Sequence, residues 1–187
     1  MKNNETLKYK EIQQRVINAI VALYQRDRNL LNIDANERSI NSKLAAYLQR
    51  EFPGWNVDCE YNRLGSDVKR LPADLGQRRK HFSGEDQKAG RVYPDIIIHK
   101  RGSRENLVVI EVKKGEGDER SLKRDLDKLR DFTDDTDDAA YKYTLGLLLI
   151  LNSVKVRVVQ RGTEQSAESK QWTEKLKANL KELGDER

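Results

Sequence analysis

The stretch from Tyr93 to Lys114 constrains the fold more than any other part of the chain. It reads Tyr93-Pro94-Asp95-Ile96-Ile97-Ile98-His99, then a polar turn from Lys100 to Asn106, then Leu107-Val108-Val109-Ile110-Glu111-Val112-Lys113-Lys114. Two runs so rich in β-branched residues, joined by a turn containing Gly102 and Ser103, predict the two strands of a hairpin. Each run carries charge where a buried strand should not. Asp95 opens the first, and Glu111 and Lys113 interrupt the second; unpaired charge among Ile and Val costs several kcal/mol of desolvation. Strand alternation points Glu111 and Lys113 to one side, with Cα atoms roughly 7 Å apart, and Lys114 to the other. If the strands pair, Asp95 can face Glu111 and Lys113 across the sheet.

The flanking segments supply partners for such a hairpin. Between Glu5 and about Leu31, Ile12, Val16, Ala19, Ile20, Leu23 and Tyr24 recur at the three-and-four spacing of an amphipathic packing helix. A second helix follows Asp34, with Ile40, Leu44, Tyr47 and Leu48 as its stripe and Phe52-Pro53-Gly54 as its stop. Trp55, Val57, Cys59 and Tyr61 alternate with Asn56, Asp58 and Glu60, the pattern of a half-buried strand. Asn62 to Arg91 shows no sustained period and is expected to be a long loop or insertion. After the hairpin, Asp118 or Ser121 can cap a helix whose Leu122, Leu126, Leu129 and Phe132 face inward, with Lys123, Arg124 and Lys128 on other faces. Leu145 to Leu151 fits a strand buried on both faces, Val154 to Val159 an edge strand, and Trp172, Leu176 and Leu180 the stripe of a last helix. The expected architecture is a single α/β domain with a mixed central sheet flanked by helices. Its parts are an N-terminal packing helix (1–33), a core (34–160) with an insertion (62–91), and a C-terminal helix (163–187).

Charge narrows the function. The chain is 36% charged with a net charge of +5, a modest basic excess that suits a polyanionic partner. Much of that excess lies in the insertion, where Arg63, Lys69, Arg70, Arg78, Arg79, Lys80, Lys88 and Arg91 outnumber the acids. Cys59 is the lone cysteine, which excludes an intrachain disulfide. No apolar stretch approaches the ~20 residues of a membrane span, and the start lacks a signal-peptide core, so a cytoplasmic protein is expected.

Two carboxylates converging in an apolar wall form a hard-oxygen ligand set, the kind that holds Mg²⁺ with waters and phosphate oxygens. Such a site can polarise a phosphodiester and lower the pKa of a bound water. Pro94-Asp95 followed by Glu111-Val112-Lys113 resembles the signature of the PD-(D/E)xK superfamily of restriction-endonuclease-like nucleases. The order helix, three-strand meander, helix, strand between Asp34 and Leu151 is similar to that family's core. The resemblance implies Asp95, Glu111 and the Val112 carbonyl as metal ligands, Mg²⁺ as the cofactor with Mn²⁺ able to substitute, and Lys113 as the residue that orients or activates the attacking water. It places Glu37 where many members carry a helix carboxylate. The implied protein is a DNA endonuclease in defence, restriction or DNA processing. Since one site cuts one strand, a homodimer is the natural arrangement for double-strand cleavage. A catalytically inactive nuclease-fold protein, binding nucleic acid or regulating, is the alternative, and an adaptor using the terminal helices a third.

Individual residues admit plainer roles. Asp95, Glu111 and Lys113 would otherwise be a structural ion cluster. Glu37 lies three residues after Asp34, the spacing of a capping box, and also falls on the inward stripe, so cap and site residue stay equally open. Glu60 is expected on the solvated face. Arg78, Arg79, Lys80, Arg91 and Lys114 are candidate phosphate contacts, although a basic loop can be only a solvated linker. His81 and His99 receive no role, the Asp131 to Asp138 acids read as a solvated turn, and Cys59 reads as core.

Overall fold

The computed structural model describes residues 8–33, 36–61, 63–64, 67–68, 93–137, 139 and 141–185. The elements in chain order are α1 (Tyr9–Arg26), α2 (Arg28–Asn32), α3 (Glu37–Glu51), β1 (Asn56–Cys59), β2 (Arg63–Leu64), β3 (Asp67–Val68), β4 (Ile96–His99), β5 (Asn106–Lys113), α4 (Glu119–Thr133), β6 (Leu145–Ile150), β7 (Lys155–Gln160), β8 (Thr163–Glu164) and α5 (Ser166–Asp185). Six strands form one sheet in the order β1-β4-β5-β6-β7-β8, and β2 and β3 pair as a separate two-residue ribbon. That ribbon lies inside the stretch expected to be irregular. Within the sheet β5 and β6 are parallel and the other neighbours antiparallel. A parallel pair needs a crossover, which α4 supplies.

Helices cover both faces, so β5 and β6 are apolar on both sides. Ile96, Ile98, Val108, Ile110 and Val112 pack with the stripes of α1, α3 and α5. Ile97, Val109, Leu148 and Ile150 pack beneath Leu126, Leu129 and Phe132 of α4, together with Tyr141 and Tyr143. Gly146 sets the depth of this second layer. A Cβ there would lie 3.0 Å from the Thr133 Cγ2 and 3.4 Å from Leu129 Cβ, so its absence lets α4 settle onto the strand. Trp172 of α5, fully buried, donates its indole N–H to the Tyr9 hydroxyl at 2.8 Å and ties the two terminal helices together.

The structure corrects several local expectations. The first helix breaks at Asp27, whose carboxylate accepts from the Tyr47 hydroxyl at 2.5 Å and pairs with Lys43 at 3.6 Å. Once the side chain is engaged by α3, the backbone leaves the helix and restarts as α2. Tyr61 does not share the inward face of Trp55 and Val57. Glu60 has a positive φ of 49°, which breaks strand alternation, and Tyr61 packs on the α4 side against the His99 ring. Cys59 is exposed at the end of β1 and is not core. Asp58 is not solvated; it accepts from Arg101 and lies 2.8 Å from His99 Nε2, with its side chain only 12% exposed. These bonds clasp β1 to the hairpin turn. Finally, β8 rather than β7 is outermost. The outer N–H groups of Val156 and Val158 are taken by Thr173 and Ser169 of α5 at 3.0 and 2.9 Å, which protects the remaining edge.

Candidate functional site

The charged residues of the hairpin meet where β5 ends. The register pairs Ile96 with Ile110, which brings Asp95, one residue earlier, abreast of Glu111. Asp95 has two ties: its carboxylate accepts from the Val112 N–H at 2.8 Å, and its carbonyl from the Glu60 N–H at 3.2 Å. A strand residue directs its carbonyl to the same edge as its N–H, so the Val112 carbonyl also faces the Asp95 side. Glu111 shares the α4 face with Val109 and is 2% exposed. One of its oxygens is 3.1 Å from Lys128 Nζ, and Oε1 is buried with no hydrogen-bond partner.

Helix α4 adds two residues that sequence reasoning misses. Asp125, 4% exposed, sits between two ammonium groups, 3.1 Å from Lys113 Nζ and 3.1 Å from Lys128 Nζ. Lys128, expected on another face of the helix, points into this cluster. The result is an alternating chain of charge, Lys113 to Asp125 to Lys128 to Glu111. A signal was available: Asp125 lies three residues after Leu122 and four before Leu129, a charged position on the inward stripe.

Glu37 comes from the other helical layer. Of the two roles left open for it, the cap falls to another residue, because Asn36 is the N-cap and accepts from the Arg38 N–H at 2.9 Å. Glu37 is instead the first helical residue, with its carboxylate accepting from the Lys114 N–H at 3.1 Å and lying 4.0 Å from Lys113 Nζ. Lys114 points away from Lys113, as alternation requires, and donates its ammonium to the Ile33 carbonyl. Glu60 pairs at the surface with Arg38 at 2.9 Å. Arg78, Arg79, Lys80 and Arg91, the candidate phosphate contacts of the insertion, lie outside the described residues, as does His81. Of the acids expected in a solvated turn, Asp131 instead lies in α4 and Asp138 lies outside the described residues; Asp135 pairs with Arg161 at 3.3 Å and Asp134 accepts from the Thr136 N–H, in keeping with a turn after the helix.

Burial sets the protonation of the cluster. Removal from water pushes the Glu111 carboxyl up to about 8, with Asp95 and Asp125 pushing the same way and Lys128 opposing. Asp95 is raised chiefly by burial, against its bond from Val112 and the fields of Lys128 and Lys113. For Lys113 and Lys128 burial acts downward, but the surrounding carboxylates outweigh it and both ammonium groups are held more firmly than usual. The site therefore has fixed positive charge and a carboxylate that ionises reluctantly unless more positive charge arrives.

The donor set fits a hard divalent cation. Among the described residues no three His, Cys, Asp or Glu side chains are grouped to hold a metal ion by themselves. Magnesium does not need such a cage; it is commonly held by one or two carboxylates with waters and substrate phosphate oxygens. Asp95 and the unpartnered Oε1 of Glu111 are two such carboxylate donors, with the Val112 carbonyl beside them.

The fold and this cluster define an α/β protein with a six-stranded mixed sheet and a buried carboxylate and lysine site at the C-terminal end of its central parallel strand. No protein-family model and no curated protein matches the chain. Among the described residues no helix is long and apolar enough to cross a membrane.

Proposed function

We propose that the protein is a divalent-metal-dependent nuclease of the restriction-endonuclease-like type, hydrolysing phosphodiester bonds in DNA. The observation that carries this reading is Glu111: a carboxylate 2% exposed on an apolar strand, one oxygen without a partner, beside Asp95 and Lys128, with Lys113 joined to the cluster through Asp125. Leaving that oxygen unpaired costs about 1–3 kcal/mol, which a bound cation would offset. The meander β1-β4-β5, the crossover helix α4 and the parallel strand β6 support the same family reading.

In this reading Asp95 and Glu111, with the Val112 carbonyl, hold Mg²⁺ or Mn²⁺. The bound cation supplies Lewis-acid polarisation of the phosphodiester and an acidified water. Lys113, held by Asp125 and steadied by Glu37, keeps its proton and presents an ammonium group to the attacking water or a phosphate oxygen. Glu37 fixes the end of β5 by accepting from Lys114, which keeps the Lys113 side chain in register. The basic insertion, with Arg78, Arg79, Lys80 and Arg91, and Lys114 would contact the backbone of the substrate. A second copy would supply the cut in the opposite strand.

The test is cleavage of plasmid, linear and single-stranded DNA and of RNA, with Mg²⁺, Mn²⁺ or EDTA. Wild type should cut only with metal, and Glu111→Ala and Lys113→Ala should be reduced at least ~100-fold, the scale of losing an electrostatic or acid–base contributor. Replacing Arg78, Arg79 and Lys80 with Ala should weaken DNA binding and flatten its salt dependence. A wild-type protein that binds DNA, never cuts it, and binds equally well as Glu111→Ala would be a binding module instead.

A further inference from the structure

Lys128 occupies the place where positive charge is most needed. Its Nζ lies 3.1 Å from Glu111 Oε2 and 3.1 Å from Asp125 Oδ1, with the side chain 22% exposed. Lys113 is the other ammonium at the site, but its contacts are with Asp125 at 3.1 Å and Glu37 at 4.0 Å. The two lysines therefore divide the carboxylates, meeting only at Asp125, and it is Lys128 that faces Glu111 and offsets its charge once it ionises. We propose that Lys128 is the resident counterion of Glu111, competing with the divalent cation for that carboxylate and shifting onto Asp125 when the cation binds. The inference rests on the nuclease reading, and it assigns α4 a part in metal loading.

Three features carry it. Two like charges near one carboxylate repel, so an ammonium group at hydrogen-bond distance from Glu111 lowers the affinity of the same carboxylate for a second cation. Lys128 has somewhere to go, because Asp125 already holds it from one helical turn away. Asp125 also holds Lys113, so a Lys128 released by Glu111 stays within the site, beside the catalytic lysine and within reach of a phosphate oxygen. Lys128 is thus a positioning residue in the metal-free protein. Asp125 is the hinge point of the exchange.

The proposal is tested by calorimetric titration of Mn²⁺ at about pH 8.5, where the Glu111 carboxyl no longer holds its proton, into wild type, Lys128→Met, Lys128→Arg and Glu111→Ala, without nucleic acid. Methionine keeps the unbranched apolar stem and removes the charge. Lys128→Met should bind Mn²⁺ at least ~10-fold more tightly than wild type, Lys128→Arg should restore the wild-type affinity, and Glu111→Ala should lose binding. Equal or weaker binding by folded Lys128→Met overturns the exchange and leaves the metal site standing. If neither wild type nor Lys128→Met binds Mn²⁺, the metal site and the exchange fall together. Binding by Lys128→Met alone supports the exchange in its strongest form. Should Lys128→Met fail to fold, side-chain ¹⁵N spectra of lysine-labelled wild type read the same event: the Lys128 ammonium resonance must move on saturation with Mg²⁺, and an unmoved resonance refutes it.

Discussion

Replacing Glu111 with glutamine should change how the stability of the metal-free protein depends on pH. Burial is the largest influence on this carboxyl and raises it from 4.5 to about 8, with Asp95 and Asp125 adding to the effect and Lys128 opposing it. Between those two values the folded protein holds a proton that the unfolded chain has released. Stability from this group is then greatest below the unfolded value and is lost as pH rises towards the folded one. At 1.36 kcal/mol per pH unit the ceiling is on the order of 5 kcal/mol, and water entry on ionisation brings the readable effect nearer ~2 kcal/mol. The amide introduced by Glu111→Gln cannot ionise, so the variant lacks this slope. Urea denaturation in EDTA, from about pH 5.5 to about pH 8.5, should show the variant gaining ~2 kcal/mol or more on wild type across the window. Asp95, also raised by burial, titrates in both proteins and largely cancels in the difference. Parallel curves for the two proteins would refute the account of Glu111 as a desolvated, ionisable group. Adding Mg²⁺ near pH 8.5 should then stabilise wild type, by about 2.7 kcal/mol at a hundredfold excess over Kd, and leave Glu111→Gln unmoved.

Further outcomes test the frame around the site. Gly146→Val puts carbon where Thr133 Cγ2 already lies 3.0 Å from a built Cβ, so it should destabilise by about 1–3 kcal/mol and lift the C-terminal part of α4, next to Lys128. Chemical denaturation with a Mn²⁺ titration measures both effects. Trp172→Ala removes a fully buried side chain and its bond to Tyr9, and should cost about 3–5 kcal/mol in the same assay while leaving Mn²⁺ affinity of the folded fraction unchanged. Asn36→Ala removes the α3 cap and should cost about 1 kcal/mol; a larger loss of cleavage than of stability would show that the cap also holds Glu37 in place.

The course of the sheet was legible because its strands advertise themselves. Ile96 to His99 and Leu107 to Lys113 are β-branched runs bounded by turn residues, and Leu145 to Leu151 is too short for a buried helix and too apolar for a surface strand. The failures share a physical cause: each depends on a local conformation or contact that composition does not encode. Glu60 adopts a positive φ, which turns Tyr61 to the opposite face from the one alternation assigns. Asp27 ends α1 because Tyr47 and Lys43 of another helix take its carboxylate. The two-residue β8 covers β7 because Gly162, with φ of 67°, permits a tight reversal there, a pairing too short to leave a periodic trace.

The site itself was half legible, and the division follows from how charge stands out against its background. Glu111 and Lys113 interrupt an unbroken apolar strand, so their cost of burial can be read directly from the sequence. Asp125 and Lys128 lie on a helix crowded with charge, from Glu119 to Asp131, where one more acid or base attracts no notice. Only their phase betrays them: Asp125 falls between Leu122 and Leu129 on the inward stripe, and Lys128 stands four residues before the buried Phe132. A buried Glu111 can ionise only with a cation at hydrogen-bond distance, and Lys113 is turned to Asp125 and Glu37 instead. A second lysine facing Glu111 from the covering helix is therefore a consequence of the strand's own charge pattern. The crossover between the parallel strands β5 and β6 is the element able to deliver it, and Gly146 lets that crossover come close enough to do so.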